Sequence, residues 1–95
     1  MNKSEIDPEV ATELKPLISE LDILGFKLIS TQYGGMSYVA DFKSDKKSLR
    51  IVKDRGQWFL EGERKDLEAN HLFRVYNSLG RFTKTIVEWI KKQNT

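Results

Sequence analysis

The spacing of apolar residues changes twice along the chain. Val10, Leu14, Leu17, Leu21 and Leu24 recur every three or four positions, the interval that lines one face of an α-helix. Asp7-Pro8-Glu9 opens this stretch as a helix start should: an N-cap carboxylate, a proline whose missing N–H costs nothing, and an acid beside the positive end of the dipole. Pro16 conflicts with the pattern because its ring crowds the carbonyl of Thr12. The sequence therefore predicts either a helix kinked there or one covering only about residues 13–24, ended by Gly25.

From Phe26 the period becomes two, and four short strands are predicted. Residues 26–32 form the first, and Tyr33-Gly34-Gly35 turns the chain. In the second, Met36, Tyr38, Ala40 and Phe42 alternate with Ser37, Val39, Asp41 and Lys43. Residues 44–47 form a loop, after which Leu49 and Ile51 continue the inner face with Arg50 and Val52 outward. Asp54-Arg55-Gly56-Gln57 turns into the fourth strand, residues 58–61. A loop at 44–47 sets Phe42 against Leu49, Ala40 against Ile51, Val39 against Val52 and Asp41 against Arg50. Apolar then meets apolar and acid meets base, matches that a slip of one residue would lose.

Helical spacing returns in the last third. Asp66 is the expected N-cap of a helix carrying Leu67, Leu72, Val75, Tyr76 and Leu79, with Asn77-Ser78-Leu79-Gly80 as its end. A final helix starts near Thr83 and carries Ile86, Val87, Trp89 and Ile90, with Lys91 and Lys92 at the negative end of its dipole. The expectation is a single α+β domain over residues 1–95, ordered α-β-β-β-β-α-α: a four-stranded antiparallel meander with an N-terminal helix and two C-terminal helices on one face.

A chain of 95 residues buries only roughly 60–65% of its unfolded surface, so one thin core is the limit. With no cysteine, that core has no disulfides, and thiolate chemistry and cysteine metal sites are excluded. The N-terminus lacks the apolar run of a secretory signal, and no stretch approaches the roughly 18 apolar residues of a membrane span. A soluble protein of the cytoplasm, not associated with a membrane, is the expectation. The net charge of +2 is unevenly spread: residues 1–25 hold two bases and six acids, or −4, and the remainder fourteen bases and eight acids, or +6. Such a dipolar molecule can steer a partner of either sign.

Catalytic devices are sparse. Phosphate-binding glycine loops, the zinc-protease H-E-x-x-H and the G-x-S-x-G nucleophile elbow are all missing. His71 is the single histidine, too few for a histidine metal pair, and reads as an ordinary helix residue. Glu63-Arg64-Lys65 downstream of Asp41 or Asp54 resembles the E-x-K half of a metal-dependent nuclease motif, but it follows Gly62 where the sheet is ending and reads as a solvated connection. The expectation is no enzyme, no metal and no cofactor.

Two binding surfaces suggest themselves. Lys43, Lys46, Lys47, Arg50 and Lys53 gather in and around the middle hairpin with aromatic residues near, a composition that can grip nucleic acid, although Asp41, Asp45 and Asp54 interrupt it. The other surface is the outward face of the sheet. Helices on one side account for Met36, Tyr38, Phe42, Leu49, Ile51, Trp58 and Leu60, yet Ile29, Tyr33, Val39, Val52 and Phe59 remain apolar on the other. A sheet with one wet face should be polar there. An apolar centre of Tyr33, Val39, Val52 and Phe59 inside a rim of Asp41, Arg50, Asp54 and Arg55 has the anatomy of a protein-binding patch. A helix of the same chain covering that face is the competing arrangement, and self-association through it stays open.

Leu14-x-x-Leu17-Ile18-x-x-Leu21-x-x-x-Gly25-Phe26, then a short meander and Asp54-Arg55-Gly56-x-Trp58, resembles in layout the small immunity proteins of bacterial polymorphic-toxin systems over residues 14–60. The resemblance implies an intracellular, non-catalytic inhibitor that docks on one cognate toxin and blocks its active site. The basic body departs from the acidic surface common among immunity proteins that neutralise nucleases.

Overall fold

The computed structural model describes residues 6–62, 64–70, 72 and 74–93. Asp7 caps the first helix, α1 (Pro8–Glu13): its carboxylate accepts the N–H of Glu9 at 2.8 Å and of Val10 at 3.4 Å. A break at Leu14 separates α1 from α2 (Lys15–Ile23), so Pro16 kinks the predicted helix and does not shorten it. The ladder is carried across the break by Leu14 N–H to the Val10 carbonyl at 2.9 Å and Ile18 N–H to the Leu14 carbonyl at 2.8 Å. Val10, Leu14, Leu17 and Leu21 therefore still form one buried stripe. Gly25, at φ +94°, closes α2. Phe26 N–H reaches back to the Leu21 carbonyl at 2.8 Å and Gly25 N–H to that of Asp22 at 3.0 Å, the paired bonds of a Schellman cap.

Four antiparallel strands follow, β1 (Lys27–Gly34), β2 (Ser37–Lys43), β3 (Ser48–Asp54) and β4 (Gln57–Glu61), hydrogen-bonded in sequence order. The middle hairpin has the register expected from its side chains: Phe42 opposite Leu49, Asp41 opposite Arg50, Ala40 opposite Ile51 and Val39 opposite Val52. Tyr38, Ala40, Phe42, Leu49, Ile51, Trp58 and Leu60 turn to one face and are buried there. Met36, expected among them, sits in the β1–β2 turn and is 79% exposed. In β1 the register shifts between Leu28 and Ser30, making Ile29 the extra residue of a bulge.

The segment after the sheet corrects the predicted helix over 67–79. Among the described residues there, only α3 (Arg64–Ala69) is helical, with Asp66 inside its first turn and not at its cap. Tyr76 then pairs with β4, exchanging both backbone bonds with Trp58 at 2.8 Å. Ser78, read as part of a helix end, begins one: its hydroxyl accepts the N–H of Arg81 at 3.3 Å, capping α4 (Leu79–Gln93). Val10, Leu14, Leu17, Leu21, Leu67, Phe82, Ile86 and Ile90 from the helices join the inner face of the sheet in one core. The α+β meander with helices on one side is thus the observed architecture.

Candidate functional site

Because cross-strand partners share a face, the register lays out the outer side of the sheet in rows. One runs Gln32, Val39, Val52, Phe59, and the next runs Ser30, Asp41, Arg50, Glu61, with Ile29 bulged beside Ser30. On the other flank lie Gly34, Ser37, Asp54 and Gln57. Val39, Val52 and Phe59 are half-buried, and none of them belongs to the core or packs against it; Phe59 borders a cleft shared with Leu67, Leu72, Arg74 and Val75, beyond the sheet. Among the described residues, the helices' core side chains all meet the opposite face. Among the described residues, no helix packs on the outer face.

The row beside this apolar centre is an ion ladder. The Arg50 guanidinium donates to Asp41 through Nε at 2.8 Å and Nη2 at 3.3 Å, and Nη1 lies 3.8 Å from Glu61. Ser30 Oγ adds a longer bond to Asp41 at 3.4 Å. The Asp41 hydrogen bond and charge, with Glu61 behind them, raise the Arg50 pKa above its ordinary value. Arg50 thus reaches carboxylates on both neighbouring strands, Asp41 on β2 and Glu61 on β4. Asp54 and Arg55 stand at the β3–β4 turn; Arg55 takes the left-handed conformation (φ +53°) ahead of Gly56 (φ +81°).

Tyr33 does not belong to this surface. It pairs with Tyr38, which turns inward, so the Tyr33 ring lies on the helix side with its centroid 6.3 Å from that of Tyr38. Strict alternation would put Tyr33 on the outer face, but the bulge at Ile29 reverses the parity of the residues after it.

The lysine set also comes apart. Lys46 and Lys47 occupy the β2–β3 loop with Lys43 beside them, and Arg50 is held by Asp41. Lys53, opposite Tyr38 and Trp58, is on the helix side, where its ammonium donates to Glu13 at 2.6 Å and lies 4.9 Å from the Trp58 ring. Five cations that looked contiguous are thus split between two faces and two ends of the sheet. Glu63 and His71 lie outside the described residues, while Lys65 is on helix α3, where the nuclease motif needs a core strand.

The sequence reading missed the polar cluster around Glu13. Tyr38 donates its hydroxyl proton to Glu13 at 2.8 Å, and Trp58 Nε1 donates to the Tyr38 oxygen at 3.2 Å. Burial pushes the Glu13 carboxyl up, but the hydrogen bonds from Lys53 and Tyr38 and the Lys53 charge outweigh it, so its pKa lies below the ordinary 4.5. Burial, foremost, and Glu13 raise the Tyr38 pKa well above 10.0, against the Trp58 bond that lowers it. Tyr38 is held neutral and Glu13 ionised and paired, an arrangement that fastens α1 to the sheet and supplies no activated nucleophile. The helix start at Asp7-Pro8 was the available signal, since it sets Glu9 and Glu13 one turn apart on one face.

Comparison of the chain with family models, with curated proteins and with solved structures gave no match. Among the described residues no helix is long and apolar enough to cross a membrane.

Proposed function

We propose that this chain is a non-catalytic protein-binding module that docks through the open face of its sheet, acting in the cytoplasm as an immunity-type inhibitor that covers the active site of a cognate toxin. The observation that supports this reading most is the row Val39, Val52, Phe59, half-buried and outside the core, next to the Asp41–Arg50–Glu61 ladder. A partner that removes the remaining apolar surface from water gains roughly 25 cal/mol per Å², and the prearranged guanidinium adds direction without an ordering cost. Binding is by shape and charge, and no chemical step is involved.

Nucleic-acid binding is the less favoured reading, since Lys53 and Arg50 are engaged by Glu13 and Asp41, and Lys43, Lys46 and Lys47 gather at one end of the sheet. The two readings separate in one experiment. The chain is immobilised and exposed to cytoplasm of its source cells, and what it captures is identified, alongside Val52→Asp and the double variant Lys46→Ala/Lys47→Ala. A protein retained by the lysine variant, resistant to moderate salt and lost with Val52→Asp is the expected result. Capture of nucleic acid that vanishes with the lysines and with added salt would overturn the proposal.

A further inference from the structure

Among the described residues, several exposed apolar side chains lie away from the outer face of the sheet. Ile6, Tyr33 and Met36 are 44%, 56% and 79% exposed, and they flank one another on the helix side of the sheet at its turn end. Tyr33 stands between two clefts. One, of about 420 Å³, is lined by Ile6, Asp7, Pro8 and Thr31; the other, of about 340 Å³, by Glu9, Glu13, Met36, Tyr38 and Lys53. The frame is built and fixed: Asp7 donates its N–H to Thr31 Oγ1 at 2.8 Å, tying the start of α1 to β1, while Glu13 ties the end of α1 to Tyr38 and Lys53.

Charge decides what such a surface can hold. Asp7, Glu9 and Glu13 line the two clefts from α1 and its cap. Against these three acids stands Lys53, already paired with Glu13. The local balance is −2, in keeping with the −4 of residues 1–25. An exposed tyrosine ring attracts a cation to its face, and the Glu9 carboxylate, on the rim of the same cleft as Tyr33, draws the same charge. Phosphate-bearing ligands are repelled.

We propose that this double cleft is a second docking site, for a basic segment of a protein partner: an arginine or lysine side chain lies across Tyr33 toward Glu9, and an adjacent apolar side chain rests on Met36 or Ile6. This site is independent of the open face and stands or falls apart from it. The full chain is used to select binders from a phage-displayed random dodecapeptide library, and the enriched peptides are synthesised and titrated by fluorescence anisotropy.

The expected consensus pairs arginine or lysine with an aromatic or aliphatic residue. Tyr33→Ala weakens its binding about tenfold, as loss of an exposed aromatic anchor does, and Glu9→Lys weakens it comparably. Tyr33→Phe retains the affinity, and Val52→Asp on the other face leaves it unchanged. Acidic or neutral consensus sequences, no consensus, or basic peptides indifferent to both Tyr33→Ala and Glu9→Lys would each overturn the proposal. So would concentration-dependent self-association abolished by Tyr33→Ala, which would make a second copy of the chain the occupant.

Discussion

Replacing Glu13 by glutamine tests the join between the first helix and the sheet. The amide oxygen can still accept the Tyr38 hydroxyl, so the change isolates the charge that meets Lys53 at 2.6 Å. A hydrogen bond to a charged group contributes roughly 1.5–3 kcal/mol when shielded. The Glu13 and Lys53 side chains are 36% and 21% exposed, and water screening draws the figure toward the ~0–1 kcal/mol of surface pairs. A cost of about 1 kcal/mol follows, equivalent to ~4–8 °C in Tm for a domain of this size. Lys53→Met removes the ammonium but keeps an unbranched stem over Trp58, at a similar cost. The double variant should then lose less than the two singles together, by about 0.5–1 kcal/mol.

The pH dependence carries the sign. Because the folded pKa of Glu13 is below 4.5, the unfolded chain binds its proton more readily, and the stabilisation is complete above that value. It is lost as pH falls through the folded pKa. Urea melts at neutral pH and at a series of pH values below 4.5 read both effects. A glutamine variant with the wild-type midpoint at neutral pH and the wild-type acid profile would refute the assignment of this pair as the clasp of α1.

Further outcomes follow from the same geometry. Tyr38→Phe leaves Trp58 Nε1 without its acceptor, costs about 1–2 kcal/mol, and flattens the alkaline limb of a stability profile: with the folded Tyr38 pKa raised, the wild type loses stability as pH rises above 10.0. Ile51→Ala, in the core, should cost roughly 2–5 kcal/mol in denaturant melts, whereas its neighbour Val52→Ala should cost under about 1 kcal/mol; equal costs would mean that both faces are packed. Arg55→Asn places a residue tolerant of positive φ ahead of Gly56 in a two-residue hairpin loop, and should raise the unfolding midpoint by the equivalent of about 0.5 kcal/mol.

The parts of the fold legible in the sequence are those where neighbouring residues restrict one another. The β2–β3 register could be read because Asp41–Arg50 and Val39–Val52 both fail if it slips, whereas Pro16 within the leucine stripe left a kinked and a shortened first helix equally open until the structure showed the kink. The region after the sheet was not legible. Leu67, Leu72, Val75 and Tyr76 look helical by spacing, but Tyr76 is recruited by the free edge of Trp58, a long-range backbone pairing that overrides local preference. On the open face, Val39, Val52 and Phe59 were recoverable from alternation alone. Tyr33 was misplaced because one extra residue at Ile29 inverts the alternation beyond it, and nothing in the local sequence marks a bulge. The acid–tyrosine cleft was missed for the same reason, since it exists only once Tyr33 is turned toward α1.

Docking through the sheet requires the face bearing Val39, Val52 and Phe59 to be open to solvent and to a partner. The chain has no cysteine, so a single Val52→Cys reports on that face without background, and Ile51→Cys on the other. Maleimide labelling of the native protein should be fast at position 52 and limited at position 51 by unfolding, and the captured partner should slow it at position 52. Labelling at position 52 as slow as at position 51, or unaltered by the partner, would contradict the account.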